Sequence, residues 1–261
     1  MRIKQLRLFT TDPEHVDDRH EKTPSRSKAI LESSLDTSST DQVPRTLNDV
    51  RGTVHPPPTA NDETPGLWAT EPSRCTLPTL DAISRAVAEC SACGLCKTRN
   101  KTVPGEGSAN ARLIFVGEGP GREEDAQGLP FVGAAGRLLD KLLLSMELKR
   151  SDVFIGNVVK CRPPRNRDPR PEETEACMPF LARQIELIKP DVMVILGATA
   201  LRALVDAKAR ITAARGKWIR RSGIMIMPTF HPAALLRDPS RKILVWEDMK
   251  KVLHFLNNTP Q

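Results

Sequence analysis

Short apolar runs alternate with longer amphipathic segments along residues 78–258. Continuous apolar runs bounded by turn residues predict buried strands of a parallel sheet. These runs are 113–116, 153–155, 192–196 and 224–227. Apolar side chains recurring every three to four residues predict helices at 134–148, 171–188, 199–205 and about 241–256. Strands that alternate with helices predict an α/β fold, with a mainly parallel four-stranded sheet and helices on both of its faces.

Residues 1–77 differ from the rest of the chain in composition and show no sustained apolar period. They are rich in Ser, Thr, Pro, Asp and Glu, and they include the run Pro56-Pro57-Pro58. Such a segment cannot bury enough apolar surface to offset the conformational entropy lost on folding. We therefore predict a disordered N-terminal tail at 1–77 and a folded domain at 78–258.

The chain is basic, with a formal net charge of +7 and an isoelectric point near 9.3. This charge favours an acidic partner, nucleic acid first among them, although plain surface charge that aids solubility would look the same. No apolar run reaches the length of a membrane span, and Met1 to Phe9 lacks the apolar core of a secretory signal. We expect a cytoplasmic monomer that does not contact membranes.

Cysteine spacing indicates a metal site, because thiols stay reduced inside cells. Cys90 and Cys93 form a C-x2-C pair, whereas Cys161 and Cys177 lie sixteen residues apart. Four thiolates suit zinc or an iron–sulfur cluster, and zinc fits less well because the second pair is not a C-x2-C knuckle. Cys96 leaves a further possibility open, since with Cys90 and Cys93 it makes a ferredoxin-like C-x2-C-x2-C run.

Polar residues follow three of the predicted strands. Glu118 stands between two glycines after the first strand, Asn157 follows the second, and His231 follows the last. Ligands of open α/β sheets bind beyond the carboxyl ends of the strands. A carboxylate, an amide that both donates and accepts, and an imidazole are therefore expected at one ligand-binding edge.

Several motifs, taken together in their order along the chain, resemble the type-4 uracil-DNA glycosylases over roughly the last two-thirds of the sequence. The motifs are Cys90-x-x-Cys93, Gly117 to Gly121 with Glu123 to Asp125, Gly128 to Gly133, Asn157 to Pro164, Cys177 and His231 to Arg237. The resemblance implies a three-layer α/β/α fold and a monofunctional glycosylase domain at 78–258 that hydrolyses the N-glycosidic bond of uracil in DNA. It also implies a 4Fe-4S cluster on Cys90, Cys93, Cys161 and Cys177, with Cys96 left out.

The same resemblance implies roles for residues at the strand ends. Glu118, His231 and Glu124 are the expected catalytic residues, and Gly119, Phe131 and Asn157 are expected to bind uracil. A flipped base stacks on an aromatic ring, and an amide matches the edge of uracil but not that of cytosine. An imidazole donor would stabilise the charge that develops on the base, while Glu118 would act at the sugar.

Basic loops predict the surface that contacts DNA. Arg162, Arg165 and Arg167 lie in a Pro- and Arg-rich loop, and Arg237 follows the last motif. Guanidinium groups in such numbers suit phosphates and predict binding that weakens with salt. Leu235 or Leu236 is expected to fill the gap left by the flipped base.

The N-terminal pentapeptide Gln5-Leu6-Arg7-Leu8-Phe9 resembles the peptide by which bacterial replication and repair proteins bind the sliding clamp. Leu8 and Phe9 would enter an apolar pocket, with Leu6 beside them, while the Gln5 amide bonds its rim. A long flexible linker would then keep the folded domain close to DNA. A chance apolar cluster is the alternative.

Two other functions compete with uracil excision. One is an iron–sulfur module that binds DNA without catalysis. The other is a superfamily glycosylase with a different damaged-base range, including one that traps its product covalently. The covalent branch carries a basic insertion that ends in histidine, and residues 125–131 contain none.

Overall fold

The computed structural model of the chain describes residue 9, residues 65–69 and residues 75–259. Most of the predicted tail, 1–77, therefore lies outside the described residues. Of its described parts, Phe9 is 1% exposed and Trp68 is 6% exposed, and each belongs to an apolar cluster of the folded domain. Within the described part of the chain, no helix is both long and apolar enough to cross a membrane.

A single mixed sheet of six strands forms the centre of the domain. In chain order the strands are β1 (Glu106–Gly107), β2 (Leu113–Gly117), β3 (Phe154–Asn157), β4 (Val192–Leu196), β5 (Ile219–Arg221) and β6 (Ile224–Thr229). Their order across the sheet is β1-β3-β2-β4-β6-β5. The four strands β3, β2, β4 and β6 are mutually parallel, as the apolar runs predicted.

The predicted strand number, four, was wrong, because the sheet has one further strand at each edge. The two-residue strand β1 pairs antiparallel with β3, and the three-residue strand β5 forms an antiparallel hairpin with β6. Edge strands are buried less than central ones and carry no continuous apolar run. Neither edge strand contains such a run, so the apolar pattern did not reveal them.

Eight α-helices surround the sheet in the described ranges. They are α1 (Leu80–Glu89), α2 (Arg122–Gln127), α3 (Ala134–Ser145), α4 (Pro171–Ile188), α5 (Ala198–Leu204), α6 (Ile211–Ala214), α7 (Pro232–Arg237) and α8 (Arg241–Asn258). Helix α4 has the predicted bounds, with Pro171 in its first turn and the Glu173 carboxylate accepting from the Arg170 N–H. The other predicted helices are confirmed, with ends that differ by at most three residues.

Alternate strand residues pack on opposite faces of the sheet, which gives the expected three layers. Phe115 and Val194 lie in one apolar cluster with side chains of α3, α7 and α8. Ile114 and Met193 lie in the other cluster with side chains of α4 and α5. Because all four parallel strands point the same way, their carboxyl ends meet at one edge of the domain.

Candidate active site and cysteine cluster

An open cleft lies at the carboxyl ends of the parallel strands. Glu118 follows β2, Asn157 ends β3, Gly197 follows β4, and His231 lies two residues beyond β6. The cleft is lined by eight of the predicted site residues, namely Glu118, Gly119, Glu124, Phe131, Asn157, Arg167, His231 and Arg237. The fold thus brings together residues that are more than a hundred positions apart in sequence.

Asn157 places a buried amide in the cleft. Its side chain is 1% exposed, and Oδ1 is the buried side-chain atom of the described residues that lacks a hydrogen-bond partner. A Cβ on Gly117 would lie 2.6 Å from this oxygen and 2.6 Å from Cζ of Phe131, so both side chains need a glycine there. An unpaired buried acceptor is costly unless a ligand supplies the donor.

Phe131 lies beside the amide in a constrained turn. Its φ of 53° is in the left-handed region, which non-glycine residues seldom adopt. The ring is 5% exposed, and its centroid lies 5.5 Å from that of the His231 ring. A Cβ on Gly136 would lie 1.8 Å from the Phe131 carbonyl oxygen, so helix α3 contacts the turn directly.

The carboxylate of Glu124 binds backbone amides around the Phe131 turn. Oε1 accepts from the N–H groups of Val132 and Gly133, each at 2.9 Å, and Oε2 accepts from the Gly121 N–H at 3.1 Å. The side chain is 9% exposed although it lines the cleft. Three backbone donors hold this carboxylate in place at the Phe131 turn, and the catalytic role expected of Glu124 stays a prediction.

His231 forms the N-cap of helix α7, and this fixes its tautomer. The ring Nδ1 accepts from the Ala233 N–H at 3.1 Å, so the neutral ring carries its proton on Nε2. Burial lowers the pKa of His231 to about 4, against the weaker opposing effect of Glu124. Above that pH the imidazole is a neutral donor, with Nε2–H left free of the cap.

Glu118 is half-buried in the cleft and contacts residues that the sequence did not single out. Burial raises the pKa of Glu118, and the hydrogen bond with Thr199 works in the opposite direction. Thr199 and Arg202 line the cleft from helix α5, which begins directly after β4. In the sequence, this strand end was marked by Gly197, which directly follows the third apolar run, 192–196.

Gly119 leaves space for the loop after β3. A Cβ on Gly119 would lie 2.7 Å from Cγ2 of Val159, so any side chain would displace that loop. The Val158 N–H donates to the Gly117 carbonyl, and the Val159 N–H donates to the Glu118 carbonyl. The two strand ends therefore continue side by side into the cleft.

The arginines of the predicted DNA-binding loop have different surroundings. Arg165 is exposed, while the Arg162 Nε donates to Oδ1 of Asn166 at 2.7 Å. Arg167 forms a two-pronged ion pair with Glu173 of α4, at 2.7 and 2.8 Å, and so fixes the loop to that helix. Of these three arginines, Arg165 is therefore the exposed one.

Helix α7 separates its two leucines. Leu235 is 1% exposed and belongs to the core, whereas Leu236 is 49% exposed. Of the two candidates for filling a gap in DNA, only Leu236 lies on the surface. Arg237 is exposed at the rim of the cleft, and Arg241 lines the same rim with its guanidinium 4.9 Å from the Phe230 ring centroid.

Five cysteines surround one small cavity beside helix α4. They are Cys90, Cys93, Cys96, Cys161 and Cys177. The described residues contain no group of three or more His, Cys, Asp or Glu side chains close enough to bind a single metal ion. A 4Fe-4S cluster does not require that closeness, because each thiolate binds a different iron atom.

Nitrogen donors point at the two buried thiols. The Arg99 guanidinium donates to Sγ of Cys161 at 3.2 Å, and the Lys160 N–H donates to Sγ of Cys177 at 3.2 Å. Burial raises the pKa of Cys177 to about 12, and the neighbouring Lys160 opposes this shift. Buried thiols with cationic and N–H donors suit a bound metal group, which keeps its ligands as thiolates.

Lys160 connects the cysteines to the cleft. Its side chain is 1% exposed, and Nζ donates to the Asn157 carbonyl at 2.9 Å and to Oε1 of Gln184 at 2.7 Å. The same residue donates its N–H to Cys177. One residue therefore contacts both a predicted cluster ligand and the predicted uracil-binding asparagine.

The predicted clamp-binding peptide is described at one position. Phe9 is buried in the cluster that includes Phe115 and Leu139, while Gln5, Leu6 and Leu8 lie outside the described residues. An aromatic ring buried in the domain is unavailable to a pocket on another protein. Engagement of a clamp by Phe9 would therefore require the ring to leave this cluster.

Comparisons with known proteins identify the family of this chain. The family model for the uracil DNA glycosylase superfamily matches residues 104–253. A type-4 uracil-DNA glycosylase of Thermotoga maritima is 50% identical over 183 residues, which cover 68% of this chain and 94% of the relative. The type-4 enzyme of Saccharolobus solfataricus is 44% identical over 69% of this chain and 88% of its own. A type-5 uracil-DNA glycosylase of Pyrobaculum aerophilum is 32% identical over 59% of this chain and 74% of the relative. The chain therefore belongs to the uracil-DNA glycosylase superfamily and, within it, to the type-4 uracil-DNA glycosylases.

Proposed function

We propose that the protein is a monofunctional uracil-DNA glycosylase, which flips uracil out of DNA and hydrolyses its N-glycosidic bond to leave an abasic site for base excision repair. The observation that supports this most is the unpaired Asn157 amide beside Phe131, in a cleft that also holds His231 and Glu118. A flipped base needs a stacking surface and hydrogen bonds to its edge, and these residues supply both. A DNA-binding module without catalysis, the competing function, would not bind a flipped base, so the Asn157 amide would have no hydrogen-bond partner.

Base recognition follows from the two groups on Asn157. Its Oδ1 would accept from N3–H of uracil, and its Nδ2 would donate to O4. Cytosine presents an acceptor at N3 and a donor at the 4-position, so the same amide orientation mismatches both. Phe131 stacks on the base, and the missing side chain of Gly117 leaves room for the Phe131 ring and the Asn157 amide. Gly119 lines the cleft and would face the base with its backbone.

His231 and Glu118 would act on the two halves of the breaking bond. Departure of the base places negative charge on uracil O2, which the Nε2–H of neutral His231 can stabilise. Ionised Glu118 would orient the attacking water or stabilise the positive charge that develops on the sugar. The raised pKa of Glu118 makes its carboxylate a stronger base, and this role requires a pH above that pKa.

The pH dependence of the protein should reflect the low pKa of His231. Since this pKa is about 4 and the ordinary value is about 6.5, excision should show no loss from histidine protonation between pH 7 and pH 5. Folding stability contributed by the neutral ring is complete above pH 6.5 and is lost as the pH falls towards 4. NMR titration of the histidine rings, with His231→Gln to assign the signal, measures this pKa. A midpoint near 6.5 would contradict the neutral-donor role.

A 4Fe-4S cluster is proposed on Cys90, Cys93, Cys161 and Cys177. The support is the shared cavity, the two buried thiols and the donors from Arg99 and Lys160. When bound, the cluster would hold the segment before β1, the 160–170 loop and helix α4 together. We assign it this structural task, with catalysis left to the residues of the cleft.

DNA binding is proposed along the rim of the cleft. Arg165 and Arg162 would contact phosphates from the loop that begins at Cys161, and Arg237 would do so from the end of α7. Arg167 would support the loop through Glu173, and Leu236 would enter the base stack. We place the enzyme in the cytoplasm, together with the DNA it repairs.

A direct assay tests the proposed function. An oligonucleotide with one uracil should be cleaved by alkali after incubation with the purified full-length protein, because alkali breaks the strand at the abasic site. The same oligonucleotide with cytosine or thymine should remain intact. Oligonucleotides with hypoxanthine or mismatched thymine test the alternative base ranges. Absence of an abasic product from the uracil strand would refute the proposed glycosylase activity. A band of protein covalently joined to DNA would indicate the branch of the superfamily that traps its product.

We also propose that the peptide 5–9 binds a bacterial sliding clamp. Gln5, Leu6, Leu8 and Phe9 match the clamp-binding pattern, and burial of Phe9 in the domain gives it a competing site. A clamp-coated resin should retain the wild-type protein and release a Leu8→Ala, Phe9→Ala double variant. Equal retention of the two proteins would end this proposal.

A further inference from the structure

Arg150 makes four polar contacts, two of them to backbone carbonyls of the turn that holds Phe131. It lies in the short 3-10 helix Arg150–Asp152, directly before β3. Its Nη2 donates to the Pro130 carbonyl at 2.5 Å, and its Nη1 donates to the Phe131 carbonyl at 3.3 Å. No motif of the sequence pointed to this residue, and its side chain does not line the cleft.

Two carboxylates hold the guanidinium in that orientation. Nε donates to Oε1 of Glu106 at 2.6 Å, and Nη1 donates to Oδ1 of Asp140 at 2.8 Å. Glu106 belongs to the edge strand β1 and Asp140 to helix α3, so these two elements and the Phe131 turn all contact one side chain. A planar guanidinium can bond carbonyls and carboxylates together, which a lysine ammonium cannot do with the same geometry.

The Phe131 turn needs such support, because its backbone is strained. The left-handed φ of Phe131 persists only where surrounding contacts fix it. Glu124 accepts from the amides that follow Phe131, and Gly136 contacts the Phe131 carbonyl. Arg150 donates to the carbonyls of Pro130 and Phe131. Loss of one of these supports would let the ring move away from Asn157 and His231.

We propose that Arg150 is a positioning residue for uracil binding, which sets the place of the Phe131 ring through the carbonyls of Pro130 and Phe131. This inference rests on the proposed function, because it assumes that the ring stacks on uracil. Stacking on an aromatic ring contributes to binding of the base itself, so misplacement of the ring should weaken that binding. Contacts to phosphates lie elsewhere on the rim and should be unaffected.

The test compares Arg150→Met with Arg150→Lys and with a matched control, Arg112→Met. Arg112 also ion-pairs with an aspartate, Asp191, and donates to the Thr259 carbonyl, but it does not line the cleft. Measurements are single-turnover excision, affinity for free uracil by ligand-observed NMR, affinity for abasic DNA and unfolding temperature. Abasic DNA lacks the base, so its binding should not depend on the Phe131 ring.

Arg150→Met should lower excision about 100-fold and weaken free-uracil binding at least about tenfold, with abasic-DNA binding unchanged. Arg150→Lys should recover part of both losses, while Arg112→Met should match the wild type in excision and uracil binding. Equal losses in Arg150→Met and Arg112→Met, or wild-type uracil affinity in Arg150→Met, would overturn the inference. A wild-type protein that does not excise uracil would instead refute the proposed function.

Discussion

Asn157→Ala is expected to lower uracil excision by about 100- to 1,000-fold, the usual effect of removing one well-placed donor from an active site. The variant loses both groups that would meet the uracil edge, so discrimination against cytosine should be lost as well. Unfolding should be little affected, because Oδ1 of Asn157 has no hydrogen-bond partner within the described part of the protein. Removing a buried, unpaired acceptor carries no loss of an internal hydrogen bond.

Single-turnover excision and thermal unfolding measure these two effects separately. Asn110→Ala is the matched control, since it removes the same side chain from an exposed turn. Near-wild-type excision by Asn157→Ala would contradict the recognition model. A large fall in its unfolding temperature would also contradict it, because Asn157 would then be a structural residue and the loss of activity its consequence.

Cys177→Ala is expected to abolish binding of the proposed 4Fe-4S cluster and to affect the active site through Lys160. Iron content should fall from about four atoms per chain to nearly none, and the brown colour of the protein should disappear. Lys160 bonds both Sγ of Cys177 and the Asn157 carbonyl, so the asparagine should lose its fixed position. Excision should fall by at least about tenfold, together with the unfolding temperature.

Cys96→Ala and Cys75→Ala are the controls for this experiment. Cys96 lines the same cavity as the four predicted ligands, whereas Cys75 does not. Both variants should keep iron, colour and activity if the ligand set is Cys90, Cys93, Cys161 and Cys177. Loss of iron from Cys96→Ala with retention in Cys177→Ala would instead support the C-x2-C-x2-C alternative.

The central strands and long helices could be predicted because the side chains that they bury are apolar and recur in a regular pattern along the sequence. A strand that is covered on both faces must be apolar at every position, as in residues 192–196. A helix with one buried face must have apolar side chains every three to four residues, as in 134–145. The edge strands β1 and β5 have neither constraint, so their presence depended on pairing with β3 and β6.

The candidate site was recognised in part for the same reason. Strand-end residues such as Glu118, Asn157 and His231 are marked by their position after an apolar run. The placement of Leu235 in the core and Leu236 on the surface was not marked, since two adjacent leucines look alike in sequence. Likewise, Glu124 gave no sign that its carboxylate would bind three backbone amides.

The sequence by itself determined the parallel sheet, the family and eight of the residues that line the cleft, because local patterns and motif order carry that information. The tertiary structure decided the contacts between segments that are distant along the chain. Arg150 bonds the carbonyls of Pro130 and Phe131, and Lys160 joins Cys177 to Asn157. Such contacts depend on how strands and helices pack in space, and no periodicity along the chain encodes the distance between two side chains.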